Sequence, residues 1–191
     1  MTIKKYFSFP ALAFTLTVLV LSIVMVPSNL AANTLDKSHT SAHFTATHLG
    51  FAKVTGSFDD ITAKIDVNGE DIKSFEASAK VESVDTKNTK RDNHLKSGDF
   101  FDAKKNPEIT LEMISHDKKS MMANLTIRGT TKKVKYDLAK GVIKTGRNSV
   151  FGMNLTTTIN RKDFNVGNSF AAATISEDVR LELSFEFALA N

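Results

Sequence analysis

The sequence contains no cysteine, no tryptophan and only three prolines. Without cysteine there is no disulfide, no thiol nucleophile and no acylatable residue for a lipoprotein anchor, so stability rests on packing and hydrogen bonds. No G-x-S-x-G, H-E-x-x-H or glycine-rich phosphate loop occurs, which removes the usual marks of a serine hydrolase, a zinc protease and a nucleotide enzyme. One-sided charge is missing too. The chain carries +4, and beyond residue 32 the balance is 23 basic to 21 acidic residues. That is too even to argue for a nucleic-acid partner.

There is one long apolar run. Ala11 to Val26 is almost free of polar groups, 16 residues in all, short of the roughly 20 that span a bilayer. Lys4 and Lys5 precede it, and Pro27-Ser28-Asn29 and Ala31-Ala32 follow. This is the three-part plan of a secretory signal. Residues 1–32 are therefore expected to be a signal peptide, cut after Ala31 or Ala32, and the product to be periplasmic or secreted. A retained anchor is the alternative. Residues 33–191 are of a length for one domain, with enough chain to bury a core unaided.

Over that domain the repeating signal has period two. Val179, Leu181, Leu183, Phe185, Phe187 and Leu189 alternate with polar residues such as Arg180, Glu182, Ser184 and Glu186. So do Ile61 to Val67, Phe75 to Val81, Ile109 to Met113, Met121 to Ile127, Val134 to Leu138 and Met153 to Ile159. Successive strand side chains face opposite sides, so each run has one dry and one wet face. Residues 39–48 and 54–58 also read as strand. Turn signals such as Asn68-Gly69, Asp117 to Ser120, Arg128-Gly129 and Gly146 to Asn148 separate them. Residues 87–107 break the pattern. Asn88 to Ser97 suit about two helical turns, and Pro107 closes the stretch. No amphipathic helix is large enough to cover a sheet, so the sheet is expected to fold on itself. The fold class is all-β: an eight-stranded antiparallel barrel with one short helix. Such a barrel is either filled by its own side chains or holds one slim ligand.

Histidines 39, 43 and 48 cluster in sequence. On an extended strand His39 and His43 lie about 13 Å apart, too far to share one zinc, and His48 faces the other side. No metal and no cofactor is expected. An enzymatic alternative pairs His39 or His94 with a carboxylate such as Asp36 or Asp99. The apolar set is the better clue. Phe75, Leu111, Met113, Leu125, Phe151, Met153, Leu155, Phe185 and Phe187 are candidate walls of a tunnel for an alkyl or prenyl chain, with Phe100, Phe101 and Phe164 at its mouth or tail. By this reading Leu155→Arg abolishes loading. The competing reading makes the same residues a plain packed core, and the protein a structural or stress-response barrel.

Four stretches carry a family resemblance. The first is Leu35-Asp36-Lys37-Ser38-His39-Thr40, with Phe44, His48 and Gly56-Ser57-Phe58. The second is Arg91 to Asp102 (RDNHLKSGDFFD) with Asn106-Pro107. The third is Leu125 to Lys132 (LTIRGTTK), and the fourth Ile159 to Phe164 (INRKDF) with Ile175 to Val179. Together they resemble the YceI, or polyisoprenoid-binding, family over residues 33–189. Leu35, Ala123, Lys133 and Asn165 depart from its pattern, standing where the family has an aromatic, a glycine, a proline and a glycine. The resemblance implies an elongated, lipocalin-like barrel outside the cytoplasm, a cavity for a polyisoprenoid or similar lipid chain, and no shared catalytic motif. A membrane enters only as the source of the ligand, and a homodimer is compatible with it. In the segment Arg91 to Asp102, Arg91, Asp92 and Asp99 are expected to pin the helix rather than to touch ligand.

Overall fold

The computed structural model describes residues 33–146 and 148–190. The expected signal peptide, residues 1–32, lies outside the described residues. Eleven strands and one α-helix follow in chain order: β1 (Thr34–Leu35), β2 (Ser41–His48), β3 (Ala52–Phe58), β4 (Ile61–Asn68), β5 (Asp71–Lys80), β6 (Val84–Asp85), α1 (Thr89–Lys96), β7 (Glu108–His116), β8 (Ser120–Ile127), β9 (Thr130–Thr145), β10 (Asn148–Asn160) and β11 (Asp178–Leu189). They form one curled antiparallel sheet in the order β4-β5-β7-β8-β9-β10-β11-β2-β3-β6, with β1 also on β11.

The all-β class with one short helix holds, and the strand count of eight is corrected to eleven. Two of the additions, β1 and β6, are two residues long, too short to carry a period. The expected ladder closure is also corrected, because β4 and β6 stand at the two ends of the hydrogen-bonded order. One side chain does part of what a ladder would. Asn33 Nδ2 donates to Ile65 O on β4 at 3.1 Å, and its Oδ1 accepts from Ala190 N just past β11 at 3.0 Å. These bonds satisfy edge groups that would otherwise need water or another chain.

The alternating runs put their apolar faces inside. Met121, Ala123, Leu125 and Ile127 of β8 are all buried, with the residues between them only partly so. Towards the end where β1 meets β11 the interior is filled. Phe151, Leu155, Phe187 and Met121 have no measurable exposure. Phe75 meets Phe185 and Phe187 edge-on, at ring-centroid distances of 5.0 and 6.5 Å, the geometry that aromatic quadrupoles favour.

Arg91 and Asp92 tie the irregular stretch to the sheet as expected, whereas the Asp99 side chain reaches, among the described residues, only His94 of α1, at 3.5 Å. Asn88 caps α1, its side chain accepting from Arg91 N at 3.1 Å. Asp92 Oδ1 accepts from Thr86 N and Oγ1 at 2.9 and 2.6 Å, while Arg91 Nε and a terminal nitrogen donate to Thr86 Oγ1 and O, each at 2.8 Å. Thr86 is buried, so Arg91 and Asp92 dock the helix on it from both sides. Close packing here also demands Gly56, where any Cβ would overlap the Phe44 ring and the Thr86 methyl. Asn165, standing in place of the family glycine, has φ of 58°. Asparagine tolerates this left-handed conformation better than most residues.

Candidate functional site

The other end of the barrel is hollow. A cavity of about 150 Å³ lies between β2, β5, β7, β8 and β11 and beneath the α1 segment. Its cause is residue size. Ala42 and Ala46 on β2 and Ala77 and Ala79 on β5 line it. Each is an inward position that a larger side chain would otherwise fill. At the packed end the inward positions are Phe, Met and Leu instead. The same period-two pattern thus builds two interiors, set by side-chain volume alone.

The walls are almost wholly apolar. Ile61, Leu111, Leu125, Ile159, Val179, Leu181 and Phe185 supply the sides. Two aromatic groups contribute to or adjoin the wall, which takes in Phe44, Phe58, Phe100 and Phe101. Phe44, Phe58 and Phe101 form a chain with centroid spacings of 5.7 and 5.6 Å. Phe100, Phe170 and His94 form the second, with Phe100 5.1 Å from Phe170 and 4.9 Å from His94. Apolar cavities of this size stay dry and take up apolar guests.

Two polar groups at this wall need an account. Tyr136 is fully buried and its hydroxyl has no hydrogen-bond partner. Burial raises its pKa, so the phenol stays neutral. Arg161 is 4% exposed. Its Nε donates to Ser176 O at 3.0 Å, and its terminal nitrogens donate to the carbonyls of Val166, Gly167, Phe170 and Ile175 at 2.8, 2.5, 2.9 and 3.1 Å. All five N–H groups are therefore used. Desolvation lowers the guanidinium's pKa and nearby Glu177 opposes the shift. Arg161 is a clasp that holds the 165–176 segment over the cavity, and it has no donor left for a ligand.

Of the residues chosen from sequence, Phe100, Phe101, Leu111, Leu125, Phe164 and Phe185 line the cavity. Phe75, Phe151, Met153, Leu155 and Phe187 do not; they are buried in the packed half. Met113 is partly buried and also off the cavity wall. A charge at Leu155 would therefore disrupt the packed core before it tested loading. The small lining residues Ala42, Ala46, Ala77 and Ala79, and the clasp Arg161, were absent from the sequence-based choice. The signal for the alanines was present as small residues at inward positions; nothing local marked Arg161 as buried.

Of the histidines, His43 on β2 lies at the cavity wall, while His39, His48 and His94 do not. His39 sits in a 3-10 turn, not on an extended strand, and its Nδ1 is 2.9 Å from Asp36 Oδ2. Asp36, His39 and Glu186 offer donor atoms within 4.8 Å of one another, on the exterior. His94 is 3.5 Å from Asp99, with both side chains about half exposed or more. Neither His–Asp pair lines the cavity, so neither has an enclosed place for a substrate beside it.

Comparison with known proteins agrees with this fold. A family model described as a YceI-like domain matches residues 34–187. A UPF0312 protein of Staphylococcus aureus is 36% identical over 165 residues, covering 82% of this chain and 96% of that protein. The crystal structure of the Campylobacter jejuni YCEI protein is 34% identical, with a TM-score of 0.71 over 76% of this chain and 90% of that one. A polyisoprenoid binding domain from Saccharophagus degradans, described as implicated in plant cell wall breakdown, superposes with a TM-score of 0.67 over 84% of this chain and 99% of its own. At 14% identity that match speaks for the fold alone.

Proposed function

The chain belongs to the YceI-like domain family, and from that premise we propose that it is an exported binding protein that holds a long apolar chain, a polyisoprenoid or a similar lipid, in the hollow end of its barrel. The observation that carries this reading is the cavity itself, apolar on nearly every side and kept open by four alanines. Keeping it open is costly. At about 24 cal/mol per Å³ of cavity, 150 Å³ corresponds to roughly 3–4 kcal/mol of forgone packing. A guest restores those contacts. Ten buried methylenes at about 0.8 kcal/mol each give a gross gain of about 8 kcal/mol, within the range needed to offset association costs. Quinones, polyprenols and fatty amphiphiles share the required chemistry. The binding domain from Saccharophagus degradans, which shares the fold, is named for a ligand of this class. The N-terminal pattern supports an address in the periplasm or outside the cell.

The test is purification from the source without detergent, followed by organic extraction and mass spectrometry at known protein concentration. A stoichiometric prenyl or acyl chain is expected. An empty extract, combined with no uptake of added ubiquinone or polyprenol, would leave a barrel without a guest and end this reading.

A further inference from the structure

The β2–β3 hairpin ends in a tip that a soluble surface does not favour. Phe51 is 91% exposed and Leu49 is 57% exposed. The turn is His48-Leu49-Gly50-Phe51, with Phe51 N donating to His48 O at 3.1 Å. Leu49 and Gly50 have φ of 50° and 76°. Positive φ at both central residues defines the type I′ turn, whose first position favours asparagine, aspartate or glycine. Five non-glycine residues adopt positive φ among the described residues, and Leu49 is the one with an apolar side chain. The tip thus places a leucine in a backbone conformation unfavourable to it, with its side chain in water.

The tip adjoins the cavity. Ala46, three residues before Leu49, lines it. Leu49 N donates to Thr174 O at 3.0 Å, and His48 bridges Ile175, which also lines the cavity. Next to this contact Ala171, Ala172 and Ala173 are exposed. Charge follows the same pattern. No Asp or Glu occurs from Lys37 to Phe58 or from Phe164 to Ser176, and Lys53 stands two residues past Phe51. The two segments that meet at the tip therefore present apolar side chains without a carboxylate, the combination suited to an anionic lipid surface.

We propose that the Leu49-Gly50-Phe51 tip inserts into the surface of a lipid bilayer and sets the hollow end of the barrel against it, so that an apolar chain passes between bilayer and cavity without crossing water. This rests on the reading of the cavity as a lipid site. Its occupant is a membrane carrying anionic headgroups.

The chain has no tryptophan, so Phe51→Trp in the full-length protein gives a fluorescent reporter at one place. Ile143→Trp is the control, because Ile143 is also exposed and lies near the packed end, where neighbouring Val142 pairs with Phe151. Vesicles of phosphatidylglycerol and phosphatidylethanolamine are expected to shift the emission of the tip reporter to the blue, and brominated acyl chains to quench it, while the control reporter changes in neither respect. Adding Leu49→Asn to the tip reporter is expected to weaken insertion on the order of tenfold and at the same time to raise the melting temperature, since asparagine suits the turn. Loss of insertion is then not a folding defect. Tip emission unchanged by vesicles, or a control quenched as strongly as the tip, overturns the proposal. Uptake of ubiquinone from the vesicles with the tip reporter unquenched refutes the tip and leaves the carrier standing. Insertion of the tip reporter without any ubiquinone uptake keeps the tip and refutes the carrier.

Discussion

Filling the cavity separates stability from binding. Ala77 lies on β5, opposite Ala63 on β4 and Leu111 on β7, and its side chain faces the hollow. Ala77→Leu adds three carbons to a space that now holds none. At about 0.8 kcal/mol per buried methylene the ceiling is about 2.4 kcal/mol, less whatever misfit the new rotamer meets. A net gain of about 1–2 kcal/mol is expected, which for a domain of this size means roughly 2–8 °C in Tm. The same carbons occupy the place of a guest, so saturable uptake of a polyprenol, followed by extraction and mass spectrometry, is expected to fall sharply. Most substitutions that harm binding also harm folding; this one is expected to move them in opposite directions. A variant that melts lower and loads as well as the parent would show that the cavity is neither strained open nor the binding site.

Arg161→Met is expected to cost at least about 3 kcal/mol, because five carbonyls lose their donors at once, and Arg161→Lys to recover only part of it, since an ammonium lacks the planar fork; chemical denaturation of the two variants measures both, and a loss below about 1 kcal/mol would show that the clasp does not hold the segment. Tyr136→Phe removes a buried hydroxyl that has no partner and is expected to stabilise the ligand-free protein by about 1 kcal/mol; thermal unfolding without ligand tests it, and a lower Tm would mean that the hydroxyl is satisfied in solution.

The sequence was most legible where the chemistry is local and repeated. Every long alternating run became a strand, and Asn88 and Ser97 bounded the helix because capping is decided within a few residues. β1 and β6 were invisible, since two-residue bridges depend on what lies across from them and not on their own pattern. The end of β9 beyond Leu138 was missed for a related reason. Val142, Ile143 and the surrounding lysines break the alternation, and pairing with β10 as far as Thr145 holds them in place. For the site, apolarity was read as lining. Phe151, Leu155 and Phe187 satisfy that rule and line nothing, because a large side chain at an inward position fills its own space. Size along the inward face was the informative property, and it was written in Ala42, Ala46, Ala77 and Ala79. Arg161 was opaque because its partners are backbone carbonyls of a loop, which leave no residue-type signature.

The two halves of this barrel solve opposite problems with one pattern. In the packed half, Phe75, Phe151, Leu155 and Phe187 supply the dense core that an uncross-linked domain needs. That surplus permits the other half to stay open at a cost of several kcal/mol. The cover of the open half is correspondingly built from loop and helix rather than ladder. α1 is held by Thr86, the 165–176 segment by Arg161, and the two meet through His94 and Phe170, beside Phe100. Such contacts give way at lower free energy than a sheet. A guest can therefore enter by displacing Phe170 and the segment around it while the strands keep their register, and hydrogen exchange measured with and without bound ligand should change most at residues 165–176. Equal protection there in both states would place the entrance elsewhere on the barrel.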